Sequence, residues 1–168
     1  YTASSPDFEA QRSITPLPVL LTVDMVSDSI MKLDGKKALV FGVASEDSIA
    51  YAICQRLAQA GCSLVLGFQP RFRSRIQQLV ATLPEGTELH PIDVNVDGST
   101  ASFFESWQSN SPGAKADIIV HAIGFAPREA FDRNLLFVDM DPMDVALRIS
   151  AHSLQGIVRH ALPHLAPN

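Results

Sequence analysis

At 168 residues, with 46% hydrophobic and 18% charged residues, the chain has the length of one domain and enough apolar content to bury a core, which excludes a disordered tail. Acids outnumber bases 18 to 13, for a net charge of −5, which argues against nucleic acid or an anionic membrane held by bulk electrostatics. The apolar run Val19 to Val26 is interrupted by Asp24 and is far shorter than the roughly 20 residues a spanning helix requires, so no membrane partner is expected.

Residues 1–30 show no sustained period, and Pro6, Pro16 and Pro18 break what pattern there is; they read as an N-terminal extension or linker. Asp7 and Glu9, balanced only by Arg12, do not fit an Arg-rich, acid-poor organelle presequence, so the expected compartment is the cytoplasm, with an organelle stroma or matrix as the alternative. From Met31 the register changes. A polar turn, Lys32 to Lys37, precedes the apolar run Ala38-Leu39-Val40-Phe41, a first strand. Ser48 to Ala60 follows as a helix with Ile49, Ala52, Ile53, Leu57 and Ala60 on its core face, stopped by Gly61. Ser63 to Leu66 is a second strand. Phe72, Ile76, Leu79, Val80 and Leu83 repeat at helical spacing up to Pro84-Glu85-Gly86.

Glu88 to Val94 reads as a third strand, Ser99 to Asn110 as a helix offering Phe103, Phe104 and Trp107 to the core, and Asp117 to Ala122 as a fourth strand. After a long loop, Asp141 is a plausible N-cap with Pro142 at the first helical position. That helix runs to Pro163 and turns Val145, Ala146, Ile149, Leu154, Ile157, Val158, Ala161 and Leu162 inward. Strands alternating with helices predict an α/β fold: a Rossmann-type doubly wound parallel sheet in the order 3-2-1-4, truncated after strand four and its following helix. Residues 31–168 are thus a partial dinucleotide-binding domain. An open edge on strand four and an uncovered face on the last helix predict association.

Cys54 and Cys62 have no metal spacing and read as buried thiols in a reducing compartment. His160 and His164 stand four apart, but Pro163 disrupts that turn and no third ligand is evident; Asp139, Asp141 and Asp144 lack the glycine and terminal glutamate of a calcium loop. No metal site is expected.

The chemistry concentrates at Gly42, where a strand turns sharply into a helix whose N-terminal N–H groups and dipole suit a pyrophosphate. Gly42 opens no G-x-G-x-x-G; five residues separate it from Ser48, and Ala50 follows. This enlarged turn, Gly42-Val43-Ala44-Ser45 with Ser48-Ile49-Ala50-Tyr51-Ala52-Ile53, resembles the phosphate loop of the enoyl-acyl-carrier-protein reductases, a divergent branch of the short-chain dehydrogenase/reductases. Asp93-Val94, the block Val120-His121-Ala122-Ile123-Gly124-Phe125-Ala126-Pro127, and Ile149-Ser150-Ala151-His152-Ser153-Leu154 match in order, with His152 where a tyrosine is usual. The likeness runs from about Met31 to Asn168.

The resemblance implies that Gly42 and Val43 pass close to the pyrophosphate and that Ser48 and Ile49 bind it. It implies that Asp93 accepts from the adenine amino group, with Val94 on the ring, and that Ile123 and Gly124 line the nicotinamide-ribose channel. Phe125 and Ala126 would border an enoyl substrate carried on acyl carrier protein. A glutamine like Gln69 in NADH-using relatives favours NADH; Arg71, Arg73 and Arg75 keep NADPH open. Phe41 stands where a threonine is common, and Pro70 is unusual.

In this family a tyrosine and a lysine six residues further complete the reduction of a trans-2-enoyl thioester in fatty-acid synthesis. The tyrosines here, Tyr1 and Tyr51, lie elsewhere. No catalytic residue is assigned, the chain alone is expected to be inactive, and a full-length parent is expected to be a homo-oligomer. A non-catalytic nucleotide-binding or interaction module, or another short-chain reductase such as a ketoreductase, stays open.

Overall fold

The structure, a computed structural model, describes residues 32–132 and 134–167. The expected extension and the run Val19 to Val26 lie outside the described residues. Four parallel strands, β1 (Lys37–Phe41), β2 (Ser63–Phe68), β3 (Glu88–Pro91) and β4 (Ile118–His121), form one sheet in the order β3-β2-β1-β4. That is the predicted order. β1 is central and apolar on both faces, as a strand covered by helices on each side must be. Ala38 and Val40 enter the core on one face with Cys54, Leu64, Leu66 and Ile76, while Leu39 and Phe41 enter the other with Val65, Phe103, Trp107 and Ile157.

Helix α1 (Ile49–Gln59) and helix α2 (Arg73–Val80) cover the first face; α3 (Ser99–Asn110) and α5 (Ser153–Ala161) cover the second. The phase of α1 differs from expectation. Ala50, Tyr51 and Cys54 are its buried residues, whereas Ile49 is 77% exposed and Ala52 is exposed. Small side chains at Ala50 and Cys54 let the helix approach the sheet closely, so the larger Ile49 is turned out toward solvent.

The third strand is shorter than expected for a visible reason. Ile92 N–H still donates to Phe68 O at 2.8 Å, but Asp93 N–H turns to Ser99 Oγ at 2.8 Å, which ends the ladder. Pro91 is tolerated because β3 is an edge strand.

The last predicted helix is two helices. Asp139, not Asp141, is the N-cap of α4 (Met140–Leu147), and a π-helical turn, Arg148–His152, separates it from α5. The wider turn shifts the helical phase, so of the eight residues expected to face inward only Ile157 and Ala161 are buried, and Leu154 and Leu162 are largely exposed. Beyond α5, Ala116 N–H donates to His164 O and Ala166 N–H to Ala116 O, both at 2.8 Å, forming a parallel bridge beside the start of β4.

His160 and His164 flank Phe104 as near-parallel rings at 6.4 and 5.7 Å, so both act as aromatic packing. Cys54 and Cys62 are buried thiols without a disulfide. Among the described residues, no cluster of metal-ligating side chains occurs and no helix is long and apolar enough to cross a membrane.

Candidate functional site

The switch point of the sheet lies between β1 and β4, where the chain leaves in opposite directions and a crevice opens beyond the strand ends. Gly42 builds its floor. Its φ is +106°, and a Cβ there would fall on the carbonyl of Ala122 and within 2.9 Å of Ile123 N, so only glycine lets the two strand ends come together. Ala122 N–H donates to Phe41 O at 2.9 Å, which locks that approach.

A cavity of about 390 Å³ opens above this floor, within the range of small-molecule sites. It gathers Gly42, Val43, Gln69, Asp93, Val94, Ile123, Gly124 and Phe125 from four separate stretches of the chain. Ser48, Ile49 and Ala126 are not on its wall. Ser48 is the N-cap of α1: its hydroxyl donates to Ser45 O at 2.7 Å and accepts from Tyr51 N–H at 3.3 Å. This closes the enlarged turn and leaves the first N–H groups of α1 without intrahelical partners.

Asp93 is held on every side. Oδ2 accepts from Gln69 Nε2 at 3.2 Å and Oδ1 from Asn95 N–H at 3.0 Å. Gly124 has open space around its Cα, so the wall it forms is backbone.

The opposite wall rests on the π turn. Ser150 Oγ accepts from Phe125 N–H and donates to Phe125 O, each at 3.0 Å, and Ile149 lines the cavity directly. One turn on, Ser153 Oγ donates to Ile149 O at 2.7 Å; its hydroxyl proton thus engaged, it accepts from His121 Nε2 at 2.7 Å. Burial holds the His121 imidazole below its ordinary pKa, so the neutral ring makes this contact near pH 7. Helical periodicity alone assigns Ile149 to the core; the inserted turn brings it to the cavity instead. Arg71, Phe72 and Asn95 also line the wall, and only the arginine carried a signal, as part of a basic run after β2.

Tyr51 is buried on the far side of α1, its hydroxyl bonded to Thr82 Oγ1. It does not line the cavity.

A parallel sheet in this order, with a glycine floor and a crevice at its switch point, defines a Rossmann-like α/β protein. The sequence profile described as enoyl-(acyl carrier protein) reductase matches residues 42–168. The chain is 32% identical over 143 residues to the enoyl-acyl-carrier-protein reductase (NADH) FabI of Synechocystis sp., covering 80% of this chain and 52% of that protein. It is 33% identical over 137 residues to the Escherichia coli protein of the same name, covering 80% and 51%. The crystal structure of the Aquifex aeolicus enoyl reductase (NADH) superposes with a TM-score of 0.73 at 28% identity, covering 83% of this chain and 54% of that one. The chain therefore belongs to the enoyl-acyl-carrier-protein reductase family, and it spans about half the length of the curated relatives it matches.

Proposed function

We propose that the cavity binds NADH and that residues 31–168 act as the cofactor-binding portion of an enoyl-acyl-carrier-protein reductase. The observation that carries this reading is the glycine floor at the switch point, with the candidate residues gathered above it. In this reading Gly42 and Val43 run beside the pyrophosphate, and Ser48 fixes the first turn of α1 so that N–H groups from Ile49 onward meet its charge. Gln69 sits at the adenine ribose. Asp93 accepts from the adenine amino group, and Val94 packs on the ring.

Ile123 and Gly124 line the nicotinamide-ribose channel, and Phe125 with Ala126 borders the acyl chain of a carrier-bound enoyl thioester. Held by Ile123 and Gly124, a nicotinamide would supply a hydride when bound. The residues of this chain orient it, and the Ser150 bonds to Phe125 keep the wall beside it in place. The relatives named above as NADH enzymes support NADH as the cofactor.

In the parent protein, self-association is supported by an exposed apolar stretch that includes Phe131, Leu135, Leu136, Phe137 and Met140. Buried, unpaired Cys54 and Cys62 support a reducing compartment. The test is calorimetric titration of NADH into the 168-residue chain. Saturable one-site binding is expected; no binding at millimolar NADH by a chain that circular dichroism shows to be folded overturns the reading.

A further inference from the structure

We propose that His121 is a positioning residue for the nicotinamide half of the ligand: through Ser153 it holds the π turn Arg148–His152, and with it Ile149 and the wall formed by residues 122–125. This rests on the reading of the cavity as a dinucleotide site. His121 is the last residue of β4 and pairs with Phe41, beside the Gly42 floor. Its side chain reaches from the sheet to the opposite wall, where Nε2 lies 2.7 Å from Ser153 Oγ.

A π turn inside a helix is rare, and here contacts from outside the helix hold it. Ser153 Oγ donates back across the turn to Ile149 O at 2.7 Å, a bond that bends a helix. With that proton committed, His121 is the donor of the second bond, and it fixes the Ser153 rotamer. Ser150, one turn earlier on the same helix face, bonds both backbone groups of Phe125 at 3.0 Å.

His121 and Phe125 therefore bracket Ala122, Ile123 and Gly124, and both brackets end on one turn. Ile123 packs on the core around Phe41 and Phe103, but Gly124 has open space about it and Phe125 is 42% exposed. Ile123 and Ile149 both line the cavity. Loss of the His121–Ser153 bond lets the turn relax toward α-helical phase, which moves Ile149 off the wall. The adenine half has its own bond, from Gln69 to Asp93, and does not depend on this brace.

Calorimetric titrations of NADH and ADP into the intact 168-residue chain test this, because ADP fills only the adenine half. Ser106→Ala is the control: Ser106 makes a like contact, 2.9 Å from His90 Nδ1, away from the cavity. Ser153→Ala and His121→Ala should each lower NADH affinity by about fivefold to tenfold and leave ADP within about twofold. The double variant should lose no more than about twice the larger single loss, since both changes remove one bond. His121→Gln, whose amide nitrogen falls near the place of Nε2, should return NADH affinity to within about threefold of the native chain, and Ser106→Ala should keep the NADH-to-ADP ratio within about twofold. In ligand-free Ser153→Ala, which carries the test if His121→Ala does not fold, the amide signals of Ile149, Ile123 and Gly124 should shift while those of Gln69 and Asp93 stay. Equal losses for NADH and ADP, unchanged NADH affinity in Ser153→Ala, or a loss in His121→Gln as large as in His121→Ala overturns the inference alone. So does NADH binding no tighter than ADP in the native chain. Binding of no dinucleotide by the folded native chain overturns it together with the reading of the cavity.

Discussion

Gln69 Nε2 donates to Asp93 Oδ2 at 3.2 Å, which ties the end of β2 to the turn after β3 on one wall of the cavity. Two residues that the sequence offers as separate ligand contacts are thus one unit. The carboxylate is oriented before any ligand arrives, and an adenine bound as proposed would share Asp93 with Gln69 and with Asn95 N–H.

Asp93→Ala removes both acceptors at once. It should weaken NADH binding by about tenfold and lower stability by about 1–2 kcal/mol, since Asn95 N–H and Gln69 lose their partner. Titration calorimetry and urea unfolding read the two effects separately. Unchanged NADH affinity would remove Asp93 from the site.

Gly42 and Gly86 both have positive φ, +106° and +86°, but a Cβ at Gly42 meets the Ala122 carbonyl while one at Gly86 meets open space. Gly86→Ala should therefore cost only the left-handed backbone penalty, about 1–2 kcal/mol. Gly42→Ala adds a collision with backbone and should cost about 3 kcal/mol or more, with loss of NADH binding. Equal losses in urea unfolding would show that the two strand ends are not in tight contact.

Much of this was legible in the sequence for simple reasons. A strand buried on both faces is a continuous apolar run, so β1 and β2 stand out, and the spacing from Gly42 to Ser48 to Ala50 marks the turn above them. The π turn was not legible. Arg148 to His152 carries the same helical spacing as its flanks, and the extra residue is fixed by tertiary bonds from Ser150 to Phe125 and from Ser153 to His121. The outward face of Ile49 was hidden similarly, because hydrophobicity alone does not register that Ala50 and Cys54 pack closer to the sheet.

Ser150→Ala tests what that turn does. Its hydroxyl holds both backbone groups of Phe125 at an exposed position, so global stability should fall by no more than about 1 kcal/mol. NADH affinity should drop about threefold to tenfold, because the wall beside Ile123 and Gly124 loses its anchor. A large loss of stability with unchanged affinity would assign Ser150 to folding alone.

Stability should depend on pH at both ends of the neutral range. Burial lowers the pKa of His121, and burial with the nearby Lys115 charge lowers that of His164. The unfolded chain then binds more protons below about pH 6.5, so stability falls as the solution is acidified through that value. Burial pushes the Cys54 thiol up to about 12, and Cys62 is also raised, mainly by burial. Above about pH 8.5 the unfolded thiols lose protons that the folded ones keep, so stability falls again. Thermal unfolding across pH 5–10 should show a plateau between those limits, and Cys54→Ala should flatten its alkaline side.

Amide chemical-shift mapping with NADH locates the ligand on the described fold most directly. Titration should move the signals of Gly42, Val43, Gln69, Asp93, Val94, Ile123 and Gly124 together, with one affinity, and leave residues at the opposite ends of the strands, such as Lys37 and Asp117, in place. Shifts confined to that opposite end, or none at saturating NADH, would contradict the assignment of the switch-point cavity as a dinucleotide site.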